Sequence, residues 1–322
     1  NALDPEIMDL LNLKNVQTVD QKRIKDIDYS FGFNAEFARK VAKNESWMLV
    51  DYSVSPELYE LMYEGDQAQF VALYNKIESD ESIPKVFVNA RDVVLKALKE
   101  GVETGRMYLH RTDEMNRHTP FKDKIYSSNL CQEIALPTSG YSSVSDLYWY
   151  GDVQGEIGLC SLGAIVLGNT QEHEYEDVAY YTVLMIDNVI EIMDYPFLQL
   201  AYTAKRRRSI GVGLTNLAYD MANKGLKYSS LSGKRYIHKV AERHSYYLHK
   251  ASLRLAKERG VCEWINKTKY PEGWLPIDTA NKNIDEVVSQ PLMYDWESLR
   301  KEIITNGGIR NSILEAHMPV ES

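Results

Sequence analysis

The 322-residue chain has only three cysteines, Cys131, Cys160 and Cys262, with no Cys-x-x-Cys spacing among them. That excludes a disulfide-stapled secreted scaffold and the common zinc frameworks. No metal-ligand set is expected, at least one thiol must be free, and a reducing cytoplasm is the expected compartment. No apolar run approaches the roughly 20 residues of a membrane helix. Ala164-Ile165-Val166-Leu167 is core-sized, no signal peptide is evident, and no membrane partner is expected. A positive balance is also missing. With 37 basic against 46 acidic residues and a net charge of -9, no overall field points to nucleic acid. Gly211-Val212-Gly213 lacks the third glycine of a dinucleotide fingerprint, and neither an internal repeat nor a low-complexity segment is present.

What is there reads as strands alternating with amphipathic helices. Strands are expected at 29–33, 47–50, 106–109, 155–163, 209–214 and 309–316. Helices are expected at 4–13, 37–41, 56–62, 66–77, 85–103, 174–193, 216–224, 234–259 and 291–304. In the helix 85–103 the spacing places Val86, Ala90, Val93, Val94, Ala97 and Leu98 on one face. In the helix 174–193 it turns Val178, Tyr181, Leu184, Met185, Val189 and Ile192 inward. The helix 234–259 carries Ile237, Val240, Ala241, His244, Leu248, Ala251 and Leu255 at spacings of three and four. Strands separated by helices imply parallel pairing in an α/β layer or barrel.

One stretch reads as a reaction centre. In Ser128-Asn129-Leu130-Cys131-Gln132-Glu133-Ile134-Ala135-Leu136-Pro137-Thr138 an amide and a carboxylate flank a cysteine two residues to either side. If the segment is extended, Asn129, Cys131 and Glu133 share one side. A carboxylate facing the same way as an inert core cysteine would be costly to bury, so the triplet points to chemistry on a small substrate. A second dense motif is the glycine-rich strand Gly155-Glu156-Ile157-Gly158-Leu159-Cys160-Ser161-Leu162-Gly163. The run Arg206-Arg207-Arg208 is expected to be a solvated helix end, Cys262 a structural residue, and the tyrosines of 141–150 surface or interface packing.

These motifs occur in an order that resembles the large (α) subunit of class I ribonucleotide reductases, of the aerobic subclass found in enterobacteria and their large phages. The resemblance rests on Asn129 to Ile134, on Gly155 to Cys160 followed by Leu162-Gly163, and on Ser209 to Gly213. It extends through Leu11 to Asn15, Asn116 to Phe121, Trp274 to Thr279 and Leu299 to Pro319, essentially the whole chain. It implies an α/β fold, a portion of a ten-stranded α/β barrel whose central finger loop carries the radical cysteine, with 1–322 as a single catalytic barrel-domain piece. The chain begins Asn1-Ala2-Leu3 and stops at Ser322 just after a predicted strand. The expectation is therefore an internal fragment or one piece of a split protein, without the upstream regulatory domain and the C-terminal part.

The implied chemistry is reduction of ribonucleoside diphosphates to 2′-deoxyribonucleoside diphosphates. Cys131 matches the thiyl-radical residue that abstracts the ribose 3′-hydrogen, Glu133 the carboxylate that takes the 3′-OH proton, and Asn129 the amide that holds the substrate hydroxyls. Cys160 matches one of the two thiols that reduce the substrate; its partner lies upstream of this chain, and Cys262 is not in that position. Asn129, Leu130, Cys131, Gln132 and Glu133 would line the substrate. Pro319, Val320, Glu321 and Ser322 would begin the phosphate cradle, with Val320 where many relatives carry a small hydroxyl residue. The resemblance implies no cofactor bound by this chain. It implies a small (β) subunit with a di-iron site and tyrosyl radical, an external dithiol reductant of the thioredoxin or glutaredoxin type, nucleotide effectors bound by missing regions, the remaining pieces of the large subunit, and a homodimer when complete. Alternatives are a cobalamin-dependent or glycyl-radical enzyme on the same barrel, against which Leu130 stands where cobalamin enzymes commonly carry proline, and a catalytically silent remnant or assembly partner.

Overall fold

The computed structural model describes residues 1–15, 18–19, 21, 23–24, 26, 29–105 and 107–319. Arg106, expected to open a strand, and Val320, Glu321 and Ser322 of the expected phosphate cradle lie outside the described residues. The chain divides into two compact units: Asn1–His118 with Ile125–Leu130, and Thr119–Lys124 with Cys131–Ser322.

In the first unit β1 (Tyr29–Phe33) pairs in parallel with β4 (Met107–Arg111), and β2 (Ser46–Leu49) pairs antiparallel with β3 (Val86–Asn89). Its core is aromatic. Trp47 stacks on Tyr74 at 4.7 Å and meets Phe37 edge-on at 5.0 Å, while its indole N–H donates to the carbonyl of Ala2 at 2.8 Å. The expected helix 85–103 starts later than its period suggests. Val86, Phe87 and Val88 pair with β2 instead, and Asn89 caps the helix Ala90–Thr104 by accepting from the amides of Arg91 and Asp92. Leu98, placed inward by the period, is exposed.

In the second unit β5 (Ser161–Val166) and β6 (Ile210–Thr215) run parallel. A third chain lies parallel beyond β6: the amides of Ile210 and Val212 donate to the carbonyls of Ile313 and Leu314, and Val212 bridges Glu315. Two glycines make that approach possible. A Cβ on Gly211 would fall 2.5 Å from Cβ of Ala316, and one on Gly213 would fall 2.6 Å from Sδ of Met318 and 2.7 Å from the Ala316 carbonyl oxygen. Among the described residues the named strands form two-stranded sheets and no closed barrel.

The helix Tyr175–Ile192 covers β5, with Ile186 over Gly163. The 29-residue helix Leu231–Arg259 packs against it, its Val240, His244, Leu248, Ala251 and Leu255 buried as their spacing predicts. Ala241, placed on the same face, is exposed. The helix Tyr175–Ile192 is turned away from its expected orientation: Ala179, Tyr180, Val183, Ile186, Asp187 and Ile190 are buried, whereas Tyr181, Met185, Val189 and Ile192 face out. The residue that decides this is Asp187. Its 1 % exposed carboxylate accepts from Arg208, Arg259 and Arg310, and so ties the ends of two helices and the C-terminal segment, which forms an isolated bridge at Glu315 rather than the expected strand 309–316, to this helix. No helix among the described residues is long and apolar enough to cross a membrane.

Candidate functional site

The residues from Leu130 to Glu133 do not continue as an extended strand. Leu130 and Cys131 form a turn, Gln132 takes a left-handed backbone conformation (φ 60°), and a bend follows at Glu133. A non-glycine residue in that region costs roughly 1–2 kcal/mol, so the surrounding chain must hold it there. The alternation that put Asn129, Cys131 and Glu133 on one side therefore does not describe this loop. Asn129 and Leu130 close the first unit, and Cys131 begins the longer segment of the second.

Cys131 is an exposed free thiol at this turn, and Leu130 is exposed beside it. Past the bend the chain is anchored. Ile134 and Leu136 are buried, and Ser139 forms an antiparallel bridge with Glu156 through reciprocal backbone hydrogen bonds of 3.0 Å. Gly158 admits this segment, since a Cβ there would lie 3.1 Å from Cβ of Leu136 and 3.2 Å from Cγ2 of Thr138. The loop segment thus lies along the chain leading to Cys160.

That contact brings the loop carrying Glu133 alongside the segment of Cys160. The half-buried Cys160 thiol is pushed up to about 11, chiefly by burial and further by the negative charge of Glu133. At neutral pH it carries its proton. Oε2 of Glu133 is buried and has no hydrogen-bond partner among the described residues. An unpaired buried carboxylate oxygen costs a few kcal/mol, which a ligand hydroxyl would recover. Cys262 is also a free thiol, fully buried and pushed up to about 12 by that burial, in accord with a structural residue. Among the described residues no group of three or more His, Cys, Asp or Glu side chains is gathered to hold a metal ion.

The arginine run overturns its expectation as a solvated helix end. Arg207 is 2 % exposed, donates from Nε and Nη2 to the two carboxylate oxygens of Glu156 (2.8 and 3.0 Å), and also pairs with Asp123 at 2.5 Å. Arg208 is buried on Asp187 and Glu191, and Arg206 lies 3.6 Å over the Tyr202 ring while pairing with Glu263. The signal for this was Glu156, a carboxylate inside an otherwise apolar and glycine-rich run; such a group needs a cation when buried. Farther along, Tyr148, Trp149 and Tyr150 are exposed on the surface. Pro319 is exposed at the end of the segment that passes over Gly213.

The whole chain, residues 1–322, matches the family model described as "Ribonucleotide reductase, barrel domain". It is 40% identical over 321 residues to the ribonucleoside-diphosphate reductase subunit alpha of Haemophilus influenzae, covering 98% of this chain and 41% of that protein. Identity is 40% over 320 residues with ribonucleoside-diphosphate reductase 1 subunit alpha of Escherichia coli K12, and 37% over 324 residues with subunit alpha of Enterobacteria phage T4, at the same coverages. The chain therefore spans about two fifths of the length of these relatives.

Proposed function

Because this chain belongs to the family of ribonucleotide reductase barrel domains, we propose that it is a catalytic barrel-domain portion of a class I large subunit, contributing to a ten-stranded α/β barrel and reducing ribonucleoside diphosphates as part of a larger assembly. The observation that carries this reading is that the segment following the exposed turn at Cys131 lies along the chain leading to Cys160, with Ser139 bridging Glu156 and Leu136 and Thr138 packed on Gly158. A small β subunit with a di-iron site and tyrosyl radical would supply the one-electron oxidation of the Cys131 thiol, taking up its electron and proton.

From there the chain's own groups act. Cys131 takes the 3′-hydrogen of the ribose and returns it at the end of the cycle. Glu133, with one buried oxygen lacking a partner, accepts the proton of the 3′-hydroxyl, and Asn129 positions the hydroxyls. Cys160, protonated at neutral pH because it is buried next to a carboxylate, gives its hydrogen as the 2′-hydroxyl leaves as water. Two thiols thereby lose two electrons in total and end as a disulfide, the second thiol coming from the remainder of the large subunit. The segment ending at Pro319, with Val320, Glu321 and Ser322, begins the phosphate cradle. Leu130 and Gln132 shape the loop against the substrate. A dithiol protein of the thioredoxin or glutaredoxin type regenerates the thiols, nucleotide effectors act through other regions, the complete large subunit dimerises, and the assembly works in the cytoplasm.

The test is ribonucleoside-diphosphate reduction by the assembly of this chain, the rest of its large subunit and the small subunit. Cys131→Ser is expected to abolish turnover while substrate binding persists. Turnover by the Cys131→Ser assembly would remove the radical-site assignment.

A further inference from the structure

Arg207 sits where three parts of the second unit meet. Its guanidinium holds Glu156 with both donors of a fork and reaches Asp123 as well, while its backbone carbonyl accepts from the amide of Ser312 at the start of the third parallel chain. The rings of Phe121 and Trp264 each lie 5.3 Å from the guanidinium carbon, so the group is walled by protein, and Lys267 approaches Glu156 at 3.4 Å. Glu156 in turn is the residue that bridges Ser139. It therefore stands at the junction of the segment that reaches Cys160 four residues later, just before β5, and the loop segment that begins at Cys131. Gly155 beside it is packed under the Tyr141 ring, 2.4 Å from where a Cβ would be, so neither segment can shift there without moving the other.

We propose that the Arg207–Glu156 pair is a positioning device for the thiol chemistry, fixing the Cys160 segment against the Cys131–Ser139 loop so that the two segments keep one register. The inference rests on the proposed function for its catalytic meaning, though not for its geometry. A bidentate guanidinium and carboxylate pair fixes distance and orientation together, which a lysine or an amide in either position cannot reproduce. Neither residue is expected to touch substrate; both act through the backbone they hold.

The experiment uses the complete large subunit carrying this chain, with Glu156→Gln, Arg207→Lys and the milder Asp123→Asn. Native alkylation by iodoacetamide is followed peptide by peptide. The expected result is Cys160 modified about tenfold faster in the first two variants and less so in Asp123→Asn, with Cys262 still protected; kcat falls by about 100-fold in the assembled enzyme while KM changes little, as for a displacement of about 1 Å near reacting groups. An unchanged Cys160 rate in either Glu156→Gln or Arg207→Lys, whichever of them folds, overturns the proposal, and so does a Cys160 rate raised as much in Asp123→Asn, which keeps the bidentate pair, as in those two. So does a parallel rise at Cys262, which marks general loosening. Wild-type assembly that reduces no ribonucleotide would remove the proposed function and leave the alkylation result to decide the positioning role.

Discussion

Asp187→Asn removes one unit of negative charge from a site where three guanidiniums converge and changes almost no volume. Oδ1 of Asp187 lies 3.0 Å from Nη1 of Arg208 and 3.2 Å from Nε of Arg310, and Oδ2 lies 3.3 Å from Nη1 of Arg259. A unit pair at 4 Å is worth about 4 kcal/mol at an effective dielectric constant near 20, but not all of that is lost. Arg208 keeps Glu191 at 2.6 Å, Arg259 keeps Asn188 at 2.6 Å and is 39% exposed, and Arg310 keeps the carbonyls of Arg259 and Gly260. Breaking a buried pair typically costs about 3–5 kcal/mol; the exposure of Arg259 and these remaining partners place the expected loss near about 3 kcal/mol. Urea is the right denaturant, because guanidinium salt would screen the charges under study. The midpoint is expected to fall with little change in slope, and thermal unfolding to drop by roughly 6–12 °C for a unit of about this size. The double variant with Arg310→Met should recover at least about 1 kcal/mol relative to additivity. A loss below about 1 kcal/mol, or strict additivity, would refute the view that this carboxylate neutralises the arginines collectively.

Gly213→Ala places a Cβ 2.7 Å from the Ala316 carbonyl oxygen, so the segment leading to Pro319 must shift; KM for the nucleotide should rise more than kcat falls, and steady-state kinetics with unchanged KM would contradict this. His249 is held neutral by burial, which lowers it to about 4. Its unfolded form takes up a proton near pH 6.5, so the unfolded state binds more protons below that value and stability falls as pH drops through the window from 6.5 to 4. Between pH 7 and pH 5 this residue should account for about 2 kcal/mol of lost stability; His249→Gln should flatten the urea midpoint across that interval, and an identical slope in both proteins would exclude the role.

The elements most legible in the sequence were those where propensity and packing agree. The helix Leu231–Arg259 combines a clear three-and-four spacing with a serine cap and a closing glycine, and most of its predicted face is buried. The helix Tyr175–Ile192 was legible in extent but not in rotation. Apolar residues lie on nearly all its sides, so the period alone does not choose a face; a buried aspartate, which hydrophobic patterning counts as surface, chose it instead. The arginine run failed for the same reason, since charge reads as solvent exposure until the partners Glu156 and Asp187 are found far away in sequence. Asn129, Cys131 and Glu133 were expected on one side of an extended segment, and the chain is not extended there. A turn with a left-handed Gln132 has no signature when the residue is not glycine or asparagine.

The convergence on Arg207 also has a kinetic meaning. Its partner Asp123 is 84 residues before it and Glu156 is 51 before it, and its backbone is paired with Ser312, far downstream. Closures of this length are paid for late in folding, after the local helices have formed. The loop that carries the exposed thiol can be synthesised early, but the bond from the Ser312 amide to Arg207 forms only when the chain has reached the segment beyond β6. During synthesis at the usual pace of about 5–20 residues per second, the nascent chain therefore carries the exposed sulfur of Cys131 for many seconds before Ser312 is available to Arg207.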